Sequence, residues 1–304
     1  MGTSNSSIQI ERVAFPSDGA TLVGQLYRPA AANSDRLAAV IVTGAWGTVK
    51  EQMPAGYARE MASRGYAALT FDFKGWGESD GRPRSMEDPF AKAADISAAA
   101  EYLASRSDID HDAIGGLGIC ASAAYMATAA TKTDLIKSLA LIAPALPSPS
   151  TVTEHLGGVD GAPALRDAAR EAHRAYEATG KELLVPAVPP AAENPEPGAD
   201  YYTNPDRGNV PEWGNTFNPA SWLTWFEYDA QAAAPNLRQP LLTVHSDAAA
   251  SPESVKEFVA QVPQVTDIWL DGVSQFDFYD QPDAMTTSCD AAVRHFTSTM
   301  SPGH

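Results

Sequence analysis

The chain has 304 residues, 38 acidic against 21 basic side chains and a formal net charge of −17. That excess of negative charge, with no run of Lys or Arg, argues against nucleic-acid and anionic-membrane partners. The 44% hydrophobic and 9% aromatic content excludes wholesale disorder, and no apolar stretch approaches the roughly 18 residues needed to span a bilayer.

In chain order, residues 8–28 read as two strands, Ile8 to Phe15 and Ala20 to Tyr27, joined by a Pro16-Ser17-Asp18-Gly19 turn. Leu37 to Val42 is a continuous apolar run, as expected of a strand buried on both faces. A helix over Pro54–Arg64 ends at Gly65, a strand follows over Tyr66–Phe71, and then a Gly-rich loop, Lys74 to Gly81. An Ala-rich helix over Pro89–Ser105, a strand over Ala113–Ile119, a small-residue helix over Ala121–Ala130 and a strand over Ile136–Ala143 complete a β-α-β-α succession. Such alternation implies a mostly parallel, doubly wound sheet.

The alternation breaks at Leu146. Residues 146–235 hold two predicted helices, Ala162–Thr179 and Pro219–Ala233, flanking a Pro-rich and aromatic-rich stretch. A structureless loop of that length is improbable in a compact domain, so an inserted helical cap over the sheet edge is expected. The core is then 1–145 plus 236–304, with a strand over Leu241–His245, a helix over Glu253–Gln261, a strand over Asp267–Leu270 and a terminal helix reaching Thr299. The amino terminus, Met1–Ser7, has no secretory-signal pattern, and the tail Ser301–His304 is expected to be mobile. Two cysteines, Cys120 and Cys289, make no disulfide framework and suit a reducing cytosol, which sets the expected location as cytoplasmic.

Chemistry concentrates at Gly118-Ile119-Cys120-Ala121-Ser122, placed between a buried strand and a helix. A nucleophile elbow needs small residues two before and two after its nucleophile, because the tight turn leaves no room for larger ones. Gly118 and Ser122 satisfy this, and the Ala121 N–H at the helix start is placed to form half of an oxyanion hole. Cys289, in the terminal helix, reads as inert packing. Glu78 and Asp80 read as solvated turn residues, and Asp72 as a structural hydrogen-bonding residue. No metal-ligand cluster and no phosphate-cradling loop are recognised, so no cofactor is expected.

On these residues the chain resembles the α/β-hydrolase fold, and within it the Cys-nucleophile, dienelactone-hydrolase-like group that includes fungal polyketide transferases. Further signatures similar to that group are Lys50-Glu51-Gln52, Gly75-Trp76-Gly77-Glu78-Ser79, Tyr201-Tyr202, Trp213-Gly214-Asn215 and Phe278-Tyr279-Asp280. The resemblance implies a second oxyanion donor from Gly44-Ala45-Trp46-Gly47, the Trp46 amide, and an acid after the strand ending at His245, where Asp247 is the first carboxylate. Relatives place that acid a residue or two later, where this chain has alanines. The group's histidine position is occupied by Gln275, which cannot accept and return a proton near neutral pH, and Ala123-Ala124 replaces a Gly-Gly pair.

The Gln275 departure leaves three explanations open: an introduced His-to-Gln exchange, another base with His245 nearest in sequence, or a reaction that needs no acyl-enzyme. The functional expectation is an enzyme breaking an acyl ester or thioester bond of a hydrophobic small metabolite, plausibly a polyketide. Its catalytic set is Cys120, Asp247 and Gln275, its oxyanion hole Ala121 and Trp46, and its substrate-binding rings Tyr201, Tyr202 and Trp213. The alternatives are a lyase that eliminates a carboxylate such as acetate and a catalytically inactive binding or scaffold protein. A homodimer stays open.

Overall fold

The computed structural model describes residues 8–30, 36–188 and 198–300; Met1–Ser7 and Ser301–His304, both interpreted above, lie outside the described residues. The chain runs β1 (Ile8–Ser17), β2 (Ala20–Pro29), β3 (Leu37–Thr43), α1 (Met53–Ser63), β4 (Ala67–Phe71), α2 (Pro89–Ser105), β5 (Ile109–Ile119), α3 (Ser122–Ala130) and β6 (Ser138–Ile142). After the excursion come β9 (Leu241–His245), α7 (Pro252–Val259), β10 (Val265–Trp269), α8 (Asp277–Asp280) and α9 (Pro282–Thr299). The excursion itself holds α4 (Pro149–His155), α5 (Gly158–Thr179), the two-residue strands β7 (Val185–Pro186) and β8 (Thr216–Phe217), and α6 (Trp222–Trp225).

Eight strands form one sheet in the order β1-β2-β4-β3-β5-β6-β9-β10. The β1–β2 and β2–β4 pairings are antiparallel and the rest parallel. The hairpin turn is the expected one: Asp18 and Gly19 carry φ of 40° and 75°, and Ser17 pairs with Ala20 across a two-residue loop. Strands β3, β4 and β6 are buried almost throughout, because helices cover both faces. On one face pack α2 and α3 (Ile96, Leu103, Tyr125, Met126); on the other lie α1 and α9 (Tyr57, Met61, Cys289, Phe296). This is the α/β-hydrolase fold, with β5 near the middle of the sheet and its carboxyl end aimed at the excursion. Among the described residues, no helix is long and apolar enough to cross a membrane.

One predicted element does not form. The helix expected over Pro219–Ala233 is a 3-10 turn at Pro219–Ser221, the single turn α6 and a 3-10 segment at Gln231–Asn236. Side chains that compete for backbone groups break it: Asn218 Oδ1 accepts from Ala220 N, Ser221 Oγ donates to Asn218 O, and Asp229 Oδ1 accepts from Gln231 N. Glu78 is also more than a solvated turn residue, since it ion-pairs with Arg12 at 3.1 Å and with the buried Lys50 at 2.8 Å. Asp72 behaves as anticipated. It is buried and accepts from Lys50 N, Lys50 Nζ and Glu78 N, pinning the Gly-rich loop.

Candidate active site

Parallel strands end on one edge of the sheet, so the loops after β3, β5, β6, β9 and β10 meet there. Cys120 follows β5 directly and carries a φ of 56°, the left-handed region that non-glycine residues avoid. The sharp turn explains Gly118, where a Cβ would lie 2.8 Å from both Ala123 Cα and Ser122 O. Ala143 after β6 (φ 42°) and Ser251 after β9 (φ 54°) hold the same strained conformation at the same edge.

The Tyr279 hydroxyl, the Ala121 and Trp46 backbone N–H groups and, least, the Gln275 side chain lie near enough to the Cys120 sulfur to act on its thiolate. These donors favour the thiolate, but burial outweighs them and pushes the thiol's pKa up. The Trp46 amide is held by its neighbours. Gly47 N donates to Glu87 Oε2 at 3.0 Å, Gly47 O accepts from Trp213 Nε1 at 2.8 Å, and Gly44 O accepts from Ser122 Oγ. Ser122 is therefore more than a small residue, because its hydroxyl ties the elbow helix to the loop after β3.

Glu87 is fully buried and takes two further hydrogen bonds, from Lys92 Nζ at 2.7 Å and Tyr125 Oη at 2.8 Å. Lys92, equally buried, lies over the rings of Phe73 and Trp76, 4.6 and 4.8 Å from their centroids. The sequence reading missed both residues. A charged pair five positions apart at a helix start looks like a solvated face, and only the fold shows that it faces inward.

Gln275 sits where its amide orientation is fixed by its partners. Its Oε1 accepts from Ala250 N at 3.0 Å, and its Nε2 donates to Ala143 O at 3.0 Å and Tyr279 Oη at 3.2 Å. Tyr279 also packs against Tyr202, so the buried Gln275 and Tyr279 and the half-buried Cys120 and Tyr202 form one cluster. Tyr279 was noticed only as part of a family signature. Burial pushes its pKa well above the ordinary tyrosine value, which makes it a hydrogen-bond donor rather than a base.

Asp247 is not brought to this cluster. It pairs with Lys256 at 3.0 Å with its side chain 75% exposed, and the group that meets Gln275 from the loop after β9 is the Ala250 amide. A triad acid at Asp247 is thus corrected to a surface ion pair. His245 is fully buried against Trp269, and neither ring nitrogen has a hydrogen-bond partner. Burial lowers its pKa to about 4, only partly offset by the carboxylates of Asp267 and Asp247. It is a neutral packing residue. Cys289 is buried in α9, and burial raises its thiol to about 12.

A cavity of about 740 Å³ opens from Cys120 and is lined by Trp46, Ala121, Leu146, Trp222 and Trp225, with Thr151, Val152, His155 and Leu156 from the excursion. The rings expected to bind substrate are placed differently. Tyr201 is buried against Tyr202 and Tyr279, Tyr202 packs on Trp213 and Phe276, and Trp213 holds Gly47; none of the three lines this cavity. Far from it, Asp110, His111 and Asp112 bring their ligand atoms within 4.8 Å of one another at the opposite end of β5, a grouping the sequence reading did not anticipate.

Residues 18–184 match the X-Pro dipeptidyl-peptidase (S15) family. Polyketide transferase claH of Penicillium crustosum is 38% identical over 122 residues, 39% of this chain and 40% of that protein. The uncharacterized protein PA2218 of Pseudomonas aeruginosa is 37% identical over 117 residues, 38% of this chain and 32% of that protein. These matches span only about a third of the length of the curated relatives. The solved structure of PA2218 superposes with a TM-score of 0.83 at 24% identity, covering 98% of this chain and 96% of that one. The α/β hydrolase GrgF from Penicillium sp. sh18 superposes with a TM-score of 0.79 at 19% identity, covering 96% and 99%.

Proposed function

Since the chain belongs to the X-Pro dipeptidyl-peptidase (S15) family and carries the α/β-hydrolase fold, we propose that it cleaves or transfers the acyl group of a hydrophobic acylated metabolite at Cys120. The observation that carries this is the conjunction at Cys120: a strained elbow φ of 56°, the Ala121 and Trp46 backbone N–H groups near enough to the sulfur to favour its thiolate, and an apolar cavity opening from it. In this reading a substrate carbonyl sits beside the sulfur and its oxygen takes the Ala121 and Trp46 amides. One such donor is worth roughly 3–4 kcal/mol of transition-state stabilisation. The sulfur forms a thioester bond, the bond to the leaving group breaks, and the thiol proton ends on the leaving group, with the Tyr279 hydroxyl stabilising charge on sulfur and Gln275 holding Tyr279. Residues 146–235 act as the cap over the site.

Gln275 cannot activate water, so hydrolysis of the acyl-enzyme is slow and transfer to a better nucleophile is the preferred outcome. The name of claH, a polyketide transferase, speaks for the same direction. Intact-mass analysis after incubation with p-nitrophenyl acetate tests this. One acetyl group on Cys120, with slow turnover that Gln275→His accelerates, is expected; loss of adduct in Cys120→Ala completes the assignment.

A second reading is elimination, favoured by the engagement of the Gln275 amide with Ala250 N and Ala143 O. Here the Ala121 and Trp46 amides hold an enolate oxygen, a base takes the α-proton, and a carboxylate leaves with the electrons of the broken C–O bond. Cys120→Ala then retains turnover of an acetylated substrate, and no adduct forms. An inactive binding protein shows neither adduct nor turnover.

A further inference from the structure

We propose that the cavity selects acyl compounds without negative charge and turns away free carboxylates and nucleotide-linked thioesters such as those of coenzyme A. This rests on the reading that the acyl carbonyl is bound at Cys120, and adds what the rest of the substrate must be. The deep walls are apolar: Leu146 is fully buried and Trp225 nearly so, and neither offers an anion a counter-charge. The exposed lining residues Thr151, Glu154, His155, Ser251 and Glu253 mark the mouth, and Glu154 and Glu253 are its carboxylates. Among the described residues that line the cavity there is no Lys or Arg.

Lys256, the cation beside Glu253, is already committed. Lys256 Nζ lies 3.1 Å from Glu253 and 3.0 Å from Asp247, so one positive charge is shared by two carboxylates and the rim stays negative. A cleft lined by one sign of charge depletes ions of the same sign, and a carboxylate moved into an apolar pocket without a partner is strongly disfavoured. At 740 Å³ the cavity is the size that suits a drug-sized ligand. A thioester large enough to carry a nucleotide therefore leaves its phosphates at the rim, against Glu154 and Glu253. Charge here works as a repulsive element of specificity rather than an attractive one.

The test needs no turnover, because Cys120 reports on the cavity directly while Cys289 is buried and silent. Alkylation of Cys120 by neutral iodoacetamide and by anionic iodoacetate is followed by mass spectrometry at pH 8.5, with neutral N-acetylcysteinamide as reference thiol. The iodoacetamide-to-iodoacetate rate ratio is expected to exceed the reference ratio at least 10-fold, and Glu154→Gln/Glu253→Gln to bring it within about 3-fold of the reference. A wild-type ratio equal to the reference, or a ratio unmoved in the double variant, overturns the proposal. In a second arm one acyl group is offered as its N-acetylcysteamine thioester and as its coenzyme A thioester. Faster acylation by the former agrees with the proposal and equal rates contradict it. If neither acylates Cys120, the acyl-enzyme reading fails, while the alkylation ratio still decides charge selection.

Discussion

Glu87→Gln probes whether the buried Glu87–Lys92 pair holds the Trp46 loop. The glutamine keeps one oxygen for Gly47 N and Lys92 Nζ, and its amide can face Tyr125, so the hydrogen-bond count nearly survives while the charge is lost. Removing one partner of a buried ion pair typically destabilises by about 3–5 kcal/mol, because the remaining charge has neither water nor counter-ion. Burial already lowers the Lys92 pKa, and Glu87 is what mainly opposes it. The variant's Lys92 can shed its proton, which caps the loss near the low end, about 3 kcal/mol. With a urea m-value of about 3 kcal/mol/M the midpoint falls by about 1 M. Urea denaturation followed by tryptophan fluorescence measures it, and Glu87→Gln/Lys92→Met is expected to recover most of the loss because no buried charge remains. Acylation of Cys120 should still fall about 10-fold in both variants, since a neutral acceptor restrains the Gly47 amide less firmly than a carboxylate. A single variant within about 0.5 kcal/mol of wild type, or a double variant no more stable than the single, refutes the reasoning.

Three further outcomes follow from the site. His245 has a folded pKa near 4 against an ordinary 6.5, so the unfolded chain binds its proton first as pH falls. Its contribution is intact above pH 6.5 and is lost between 6.5 and 4, at no more than about 1.4 kcal/mol per pH unit. His295, also lowered by burial, acts in the same direction. His245→Phe should flatten the stability profile in that window, and parallel profiles for the two proteins would contradict the assignment. Tyr279→Phe removes a hydroxyl that favours the Cys120 thiolate, so the pH profile of iodoacetamide alkylation should move upward; an unmoved or lowered profile shows that the hydroxyl does not act on sulfur. Gly118→Ala forces a Cβ to within 2.8 Å of the α3 backbone and should cost about 1–3 kcal/mol in urea denaturation, with less Cys120 adduct. Wild-type stability with full labelling would mean that the elbow relaxes freely.

The elbow was legible because its constraint is local. Gly118, Cys120 and Ser122 lie within five residues, and the sterics of one turn dictate the small side chains on either side. The hairpin at Asp18-Gly19, the Gly65 helix end and the apolar runs that became β3, β4 and β6 were legible for the same reason, since backbone preference and burial on both faces act through neighbours in sequence. Interactions between distant segments were not. Asp247 stands first in its loop, yet Lys256 holds it outward, and Gln275 meets an amide instead of a carboxylate. The aromatic density around Tyr201, Tyr202 and Trp213 was visible, but only packing assigned those rings to support and left Trp46, Trp222 and Trp225 on the cavity wall. Tyr279 and the Glu87–Lys92 pair acquire meaning only when α8 and α2 come against the loops that follow β5 and β3. Sequence by itself determined the strand-and-turn frame and the cysteine at its centre, since these depend on short-range sterics and burial. Tertiary structure decided which charges and rings face that cysteine, because their partners lie tens to hundreds of residues away.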